Sequence, residues 1–287
     1  MPEYAVLDKD TIKIWIMPYL SVAKRGFTSK FDLLEIVNAI LYKLKSGCQW
    51  RFLPLGHLFS GDSPSWNTVF QHYRKWCKKD EWRKAYANVL SSNKEAIDLS
   101  LSHIDGSHTP ALRGGECVEY QGRKKRKTTN ALFFTDNQGL PLAMARPQAG
   151  NHSDLYEIKE RVDEIAEQLK EADIPVDGLF CDLDAGFDGH DLRAVLDSHG
   201  IISNVCPNRR NGGQPTEERL FDEVMYKERW KIERTNAWID GFKNVLVRFD
   251  TTVSSWKGWN FLAFIVIFLK KIHKSIVNTR KNGISFN

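Results

Sequence analysis

The sequence has little material for covalent or metal-based cross-links. Its 287 residues include five cysteines, an odd number that lie far apart and form no CxxC pair: Cys48, Cys77, Cys117, Cys181 and Cys206. We therefore expect neither a disulfide framework nor a cysteine-based zinc site. This cysteine usage fits a reducing cytoplasm best.

The sequence also lacks a long apolar run and several common catalytic motifs. Its longest apolar run, residues 261–269, is about half of the ~20 residues that span a bilayer. The acidic, polar start MPEYAVLDKD does not resemble a signal peptide. No GxSxG, P-loop or GxGxxG motif followed by an acid occurs, so hydrolase triads, nucleotide hydrolysis and dinucleotide binding have no support. We expect a cytoplasmic protein without membrane contact.

What is present is ordinary for a globular protein. Hydrophobic residues make up 42% and charged residues 27%, which excludes a disordered tail and a collagen-like fibre. Nine tryptophans supply material for a packed core. The net charge of +5 permits an acidic partner without proving one.

Residues 1–97 are predicted to form a small helical domain. Apolar residues recur at helical spacing over residues 31–44. Ser63 and Pro64 have the order of an N-cap and a first helical residue, and a third helix is predicted from Glu81 to about Leu90. Short helices with basic exposed residues favour a helix-turn-helix-like DNA-binding domain. A helical cap with a solvated charged face is the alternative.

Residues 98–287 show a different pattern. Strands are predicted over 99–105, 176–184 and 201–206, and a hairpin over 130–136 and 140–146. Helices are predicted over 153–171, 189–199, 223–247 and 256–272. This order predicts a mixed α/β sheet flanked by helices.

Three acidic residues are candidates for metal chemistry. Asp105 and Asp184 end two strands, where α/β sheets place ligands, and Glu233 lies on a late helix. Three converging carboxylates repel one another unless cations neutralise them, and Mg²⁺ prefers oxygen ligands. Two such ions about 4 Å apart support phosphoryl transfer.

Other acids compete for the same roles. Asp182 is a direct competitor because it would point to the same strand face as Asp184. Asp136 and Asp188 are weaker competitors, since residues in such places are more often caps or turn residues.

Basic and aromatic residues indicate a polyanionic partner. Five consecutive cations, Arg123, Lys124, Lys125, Arg126 and Lys127, repel one another unless a polyanion neutralises them. Arg209 and Arg210 lie in a Gly-rich loop that could approach phosphates closely. A solvated loop is the alternative for each group.

The helix that carries Glu233 adds two candidates. Tyr226 and Arg229 share one face with Glu233, at positions i, i+3 and i+7. Arg229 could orient Glu233 or bind a phosphate through two hydrogen bonds. The alternative is an intrahelical Arg–Glu pair worth a few tenths of a kcal/mol.

Several motifs together resemble those of bacterial insertion-sequence DDE transposases, in the group named for insertion sequences four and five. Over about residues 25–270 the similar boxes are GCQWRFLP at 47–54, HIDGSH at 103–108, the basic segment 122–130 with GLPL at 139–142, PQAGNHSD at 147–154, LDAGFD at 183–188, PNRRN at 207–211 and the Y-x2-R-x3-E spacing at 226–233. The LDAGFD box resembles the one that carries the family's second catalytic aspartate, which implies Asp184 rather than Asp182. The family has a basic residue seven positions after the glutamate. This sequence departs from that pattern, because it has Asp240 there and the nearest basic residue, Lys243, follows three positions later.

The resemblance implies a ribonuclease H-like catalytic domain with a DDE triad. Asp105, Asp184 and Glu233 would be catalytic and bind two Mg²⁺ or Mn²⁺ ions. The enzyme would cleave DNA at terminal inverted repeats by metal-dependent hydrolysis and join the freed 3′ ends to target DNA. Tyr226, Arg229, Lys243 and the basic loops would contact DNA, and the N-terminal helices would help to recognise the repeats.

The resemblance also implies an assembly and a place of action. Synapsis of two element ends would need at least a homodimer, acting at the nucleoid of a bacterial cytoplasm. A DNA-binding protein derived from such an enzyme, without cleavage activity, is the alternative function.

Overall fold

The computed structural model describes residues 5–22, 29–208 and 221–281, with side chains up to residue 272. The chain forms two compact units. The first contains residues 1–89, 239–246 and 254–287, and the second contains 90–238 and 247–253. The proposed domain division at 97/98 stays a prediction, because the observed units do not follow one continuous division of the chain.

Helices build the first unit. They are α1 (Lys9–Trp15), α2 (Leu33–Ser46), α3 (Leu55–Leu58), α4 (Trp66–Lys78), most of α5 (Glu81–Ser91), α10 (Lys243–Leu246) and most of α11 (Val253–Lys281). The Asp32 side chain caps α2 by accepting from the Leu34 amide, and Gly47 ends it with φ +68°. Helix α4 begins later than predicted, because Ser65 is its N-cap and accepts from the Thr68 amide.

Aromatic rings form the core of the first unit. The rings of Tyr73 and Trp259 are stacked with centroids 4.0 Å apart, and Trp50 packs against both. Trp76 and Trp256 are fully buried. The predicted final helix is therefore a core element of this unit, and α11 is longer than predicted at both ends. Among the described helices, none combines the length and apolar character needed to cross a bilayer.

A seven-stranded mixed sheet builds the second unit. Its strands are β1 (Ser102–Pro110), β2 (Glu119–Gln121), β3 (Arg126–Asp136), β4 (Pro141–Met144), β5 (Gln148–Ala149), β6 (Phe180–Leu183) and β7 (Ile202–Val205). The order is β2-β3-β1-β6-β7, and β4 and β5 also pair with β3. Strands β1 and β3 are antiparallel, whereas β1, β6 and β7 are mutually parallel. This confirms the predicted mixed α/β sheet.

The remaining helices belong to or begin in this unit. They are α6 (Ile158–Glu171), α7 (His190–Ser198), α8 (Glu223–Tyr226) and α9 (Trp230–Asp240). Helices α6 and α7 pack together, α6 against β4 and α7 against β7, while α8 packs near β6. The apolar stripe of α6 is buried as its periodicity predicts.

The predicted single helix over 223–247 was wrong, because the chain breaks it twice. A 3-10 turn, Lys227–Arg229, separates α8 from α9, and α9 ends before Gly241. Glycine disfavours helix, and the Gly241 carbonyl accepts a hydrogen bond from the Lys45 side chain at 2.8 Å instead. The break at Lys227–Arg229 coincides with a tertiary contact of Arg229 with Asp105.

The basic stretch 123–127 is only partly a loop. Arg126 and Lys127 belong to β3 and pair with Gln121 and Tyr120 of β2, a short strand that the sequence pattern did not predict. The turn of this hairpin includes Lys125, which has φ +49°.

Candidate active site

The sheet brings Asp105 and Asp184 together. Strands β1 and β6 run parallel with His103 opposite Asp182. Asp105, two residues further along β1, and Asp184, the residue after β6, therefore lie on the same side of the sheet. The Asp105 side chain is 19% exposed and that of Asp184 is 42% exposed. Asp184 also caps the 3-10 turn that follows β6, by accepting from the Gly186 amide at 2.7 Å.

Arg229 joins the two carboxylates. Its Nη2 donates to Asp105 Oδ1 at 2.8 Å and lies 3.8 Å from Asp184 Oδ2. The Arg229 side chain is 16% exposed, so its one positive charge partly offsets the two neighbouring acids from a largely buried position. Arg229 makes this contact, with a residue 124 positions earlier, from the 3-10 turn Lys227–Arg229.

Burial raises the pKa of Asp105 to about 6. The negative charges of Asp184 and Asp154 act in the same direction, and Arg229 opposes them. A cation of higher charge at this point would favour the ionised carboxylate more strongly than one guanidinium does.

Tyr226 belongs to the same cluster. Burial raises the pKa of its hydroxyl to about 12, with contributions from Cys206 and the charge of Asp184. Its ring makes an edge contact with Phe221, with centroids 5.4 Å apart. Tyr226 and Arg229, which were predicted to share a helical face with Glu233, thus lie near Asp184 in the second unit.

Glu233 is the acid that the structure does not bring to this cluster. It lies in the first turn of α9, four residues after Arg229, and its side chain is exposed. Within residues 5–22, 29–208 and 221–272, no three His, Cys, Asp or Glu side chains are placed closely enough to hold a metal ion. Two members of the predicted trio thus meet, and the third lies one helical turn from their shared arginine.

The competing acids each have a different environment. Asp182 and His103 are fully buried, with His103 Nδ1 3.6 Å from Asp182 Oδ2, and Asp182 Oδ1 accepts from the Asn204 amide at 2.7 Å. Burial lowers the pKa of His103 to about 4 and raises that of Asp182 to about 6. The charge of Arg229 lowers the pKa of both groups, so it opposes the rise at Asp182 and adds to the fall at His103.

The two weaker competitors have roles in turns. Asp136 caps the β3–β4 turn by accepting from the backbone amides of Gln138 and Leu140. Asp188 forms an ion pair with Arg193 at 3.0 Å and accepts from the Asn208 amide.

Sequence reasoning missed a support behind Asp105. Asn130, fully buried, donates to Asp154 Oδ1 at 2.6 Å. A Cβ at Gly106 would clash with that carboxylate, so a larger residue beside Asp105 would displace the Asp154 side chain from Asn130. A glycine inside a strand was the available signal, since it marks the close approach of another group.

The predicted DNA-contacting cations lie in different places. Residues 123–127 are exposed at the β2–β3 hairpin. Lys243 is exposed in the first unit, where α10 packs beside Gly47. Asp240 occupies the position where the signature has a basic residue. Burial raises the pKa of Asp240, and the charge of Lys243 opposes this rise. Arg209 and Arg210 lie outside the described residues.

Two family matches cover most of the chain. Residues 96–267, more than half of the chain, match the family described as Transposase DDE domain. Residues 15–86 match a family described as transposase of IS4/5 family (DUF4096). No curated protein matches the chain.

Solved structures show a distant likeness. One is the Mos1 transposase paired-end complex with left transposon end, at 13% sequence identity and a TM-score of 0.29. The alignment covers 88% of this chain and 82% of the Mos1 chain. A pre-cleavage Mos1 transpososome has 12% identity, with coverages of 93% and 84% and a TM-score of 0.29. With TM-scores below 0.5, these likenesses carry no part of the conclusions that follow.

Proposed function

The chain belongs to the family of transposases with a DDE domain, and we propose that Asp105, Asp184 and Glu233 are its three catalytic acids. It is a DNA transposase whose ribonuclease H-like catalytic domain follows a helical N-terminal region with its own IS4/5-family match. An inactive, DNA-binding derivative is not favoured, because all three acids of the motif are present.

One observation carries the assignment. Asp105 and Asp184 come from separate strands, yet their carboxylates meet at a single cationic group, Arg229 Nη2. Two carboxylates held this close, with a cation already between them, form an oxygen donor set that suits a hard divalent metal. Asp182 has a different arrangement, since it is fully buried, accepts from the Asn204 side chain and lies beside His103.

The family uses divalent metal ions, and we propose Mg²⁺ or Mn²⁺, two per site, held by Asp105, Asp184 and Glu233. Bound there, the ions would supply an activated nucleophile and stabilise the leaving oxygen of the phosphodiester. The protein's part is to hold Asp105 by its strand, Asp184 by its turn and Glu233 by the first turn of α9. The Glu233 side chain is exposed, so it would have to move toward the two aspartates to share their ions.

DNA is the partner that the function requires. We propose that the enzyme binds terminal inverted repeats, cleaves there and joins the 3′ ends to target DNA. The exposed cations at 123–127 would neutralise backbone phosphates, while Tyr226 and Arg229 would position a phosphate at the acids. A homodimer would hold two ends together. We expect this activity at the nucleoid of the bacterial cytoplasm, because its DNA substrate lies there.

A nicking assay tests the proposal. The substrate is a labelled duplex that carries the inverted repeat found beside the gene, with Mg²⁺ or Mn²⁺ added. The parent should cut at the repeat terminus, and Glu233→Ala should bind the duplex normally without cutting it. Equal cutting by both proteins would refute the role of Glu233. A strand-transfer product would separate a transposase from a simple nuclease.

A further inference from the structure

Arg229 has few contacts that would hold it permanently at the acids. Its Nη2 contacts Asp105 at 2.8 Å and Asp184 at 3.8 Å. Its Nε has no hydrogen-bond partner in the described part of the chain, although it is buried. The residue lies on a short 3-10 turn between two helices rather than inside one. Rotating the guanidinium away would therefore break, among the hydrogen bonds and ion pairs of the described residues, those with the two carboxylates.

The charge balance of the cluster favours exchange of this cation. Asp105 and Asp184 carry two negative charges when ionised, and Arg229 supplies one positive charge, so the group keeps a net negative charge. A third carboxylate approaching it would be repelled. Glu233, one helical turn further on, is accordingly exposed to solvent. A divalent cation would reverse this balance and make a third carboxylate favourable.

We propose that Arg229 is an exchangeable counterion, which partly neutralises Asp105 and Asp184 until a divalent cation competes for the same carboxylate oxygens and displaces it. The displaced guanidinium is then available to a DNA phosphate, for which its planar donors are suited. This inference rests on the proposed function, because it takes Asp105 and Asp184 as metal ligands. It assigns Arg229 as a positioning residue that links cation binding to phosphate binding.

A fixed structural ion pair makes the opposite prediction. If Arg229 only braced the two acids in the geometry needed for a metal, removing it would weaken cation binding. If it competes with the cation, removing it strengthens binding. The sign of the change in affinity therefore distinguishes the two roles.

The experiment measures Mn²⁺ binding to the full chain without DNA, by electron paramagnetic resonance of the free ion. Arg229→Gln should bind Mn²⁺ about tenfold more tightly than the parent, a change equivalent to about 1.4 kcal/mol. The matched control is Arg193→Gln, because Arg193 also forms a part-buried pair with an aspartate, Asp188, at 3.0 Å. Its Mn²⁺ affinity should equal that of the parent.

Asp105→Asn separates failure of this inference from failure of the proposed function. If Asp105→Asn removes the tight Mn²⁺ binding while Arg229→Gln leaves affinity unchanged or weaker, the metal site stands and the exchange is refuted. If Asp105→Asn binds Mn²⁺ like the parent, the proposed metal site itself is refuted, and the exchange with it.

Thermal unfolding gives a second readout. Without Mn²⁺, Arg229→Gln should melt below the parent, because the two acids lose their counterion. Saturating Mn²⁺ should raise its melting temperature by more than it raises that of the parent. If Arg229→Gln does not fold, Arg229→Lys replaces it. We expect an intermediate Mn²⁺ affinity, because lysine keeps the positive charge but lacks the planar pair of donors of arginine. An equal Mn²⁺ effect on variant and parent would overturn the proposal.

Discussion

Asparagine substitutions of the two aspartates around the end of β6 should have opposite consequences. Asp182→Asn should fold, gain stability at neutral pH and retain DNA cleavage. Asp184→Asn should fold, because an asparagine oxygen can still accept from the Gly186 amide, but should lose cleavage. The two residues differ in environment, since Asp182 is fully buried and Asp184 is 42% exposed beside Arg229.

The magnitude for Asp182 follows from its burial. One carboxylate oxygen accepts from Asn204, and the other has no hydrogen-bond partner within the residues described. Burial raises its pKa from the ordinary 3.8 to about 6. Each pH unit of this difference corresponds to about 1.4 kcal/mol, so the ionised form destabilises the fold by up to about 3 kcal/mol.

The sign determines the pH window. Because the folded-state pKa is raised, the folded protein binds this proton more tightly than the unfolded chain does. The stability that Asp182 contributes is complete below about pH 3.8 and is lost as the pH rises through about 6. Asp182→Asn should therefore be stabilised by about 1–3 kcal/mol at pH 8 and by almost nothing near pH 4.

Urea unfolding of parent and variant at pH 5, 6, 7 and 8 measures the stability difference, and the nicking assay measures activity. A gain that grows with pH, together with retained cleavage, is the expected result. If Asp182→Asn is as inactive as Asp184→Asn while still folded, Asp182 is a catalytic acid and the assignment of Asp184 alone is wrong. A stability difference independent of pH would refute the burial argument.

Three further predictions test other parts of the second unit. Gly106→Ala should lower the free energy of unfolding by about 1–3 kcal/mol through a clash with Asp154, whereas Gly122→Ala, with no atom within 4 Å of its new methyl group, should change little; equal denaturation midpoints would contradict this. Thr235→Val should cost about 1–2 kcal/mol in denaturation, because its buried hydroxyl donates to a carbonyl of the β3–β4 turn; an unchanged midpoint would count against that bond. Replacing all five cations of 123–127 with glutamine should reduce the slope of log affinity for DNA against log salt by about 0.9 per lost phosphate contact; an unchanged slope would remove this hairpin from the interface.

The association of both aspartates with strands was predictable, because side-chain alternation is local. Asp184 directly follows β6 as predicted, whereas the prediction that Asp105 ends a strand over 99–105 was wrong, because β1 starts later and continues past it to Pro110 through its pairing with β3. The parallel register of β1 and β6 brings the two residues to one side of the sheet. The sequence could not show whether Asp182 or Asp184 lies beside Asp105, since the two alternate residues point to the same side of the strand. The resemblance to known motifs, rather than the pattern, favoured Asp184.

The environment of Glu233 was not predictable from helical periodicity. The spacing of Tyr226, Arg229 and Glu233 predicts one continuous helical face, but the contact of Arg229 with Asp105, 124 residues earlier, accompanies a 3-10 turn there. Such a contact is tertiary and leaves no local signal. Gly241, in contrast, was a local signal for the end of a helix. The apolar periodicity on both sides of it nevertheless favoured one continuous helix.

The role of the final helix was also hidden in the sequence. Its apolar character predicted a buried helix, and that was correct. Its contact with Tyr73, through the stacked ring of Trp259, joins residues far apart in the chain. Aromatic residues in both segments indicated core positions without indicating which segments pack together.

The most direct test of the central claim is anomalous diffraction from Mn²⁺ in crystals of the protein bound to its inverted-repeat DNA. The account predicts strong peaks whose oxygen ligands come from Asp105, Asp184 and Glu233, with Arg229 moved from Asp105 to a phosphate. Peaks that lack Glu233 among their ligands, or that lie at Asp182 instead of Asp184, would contradict it.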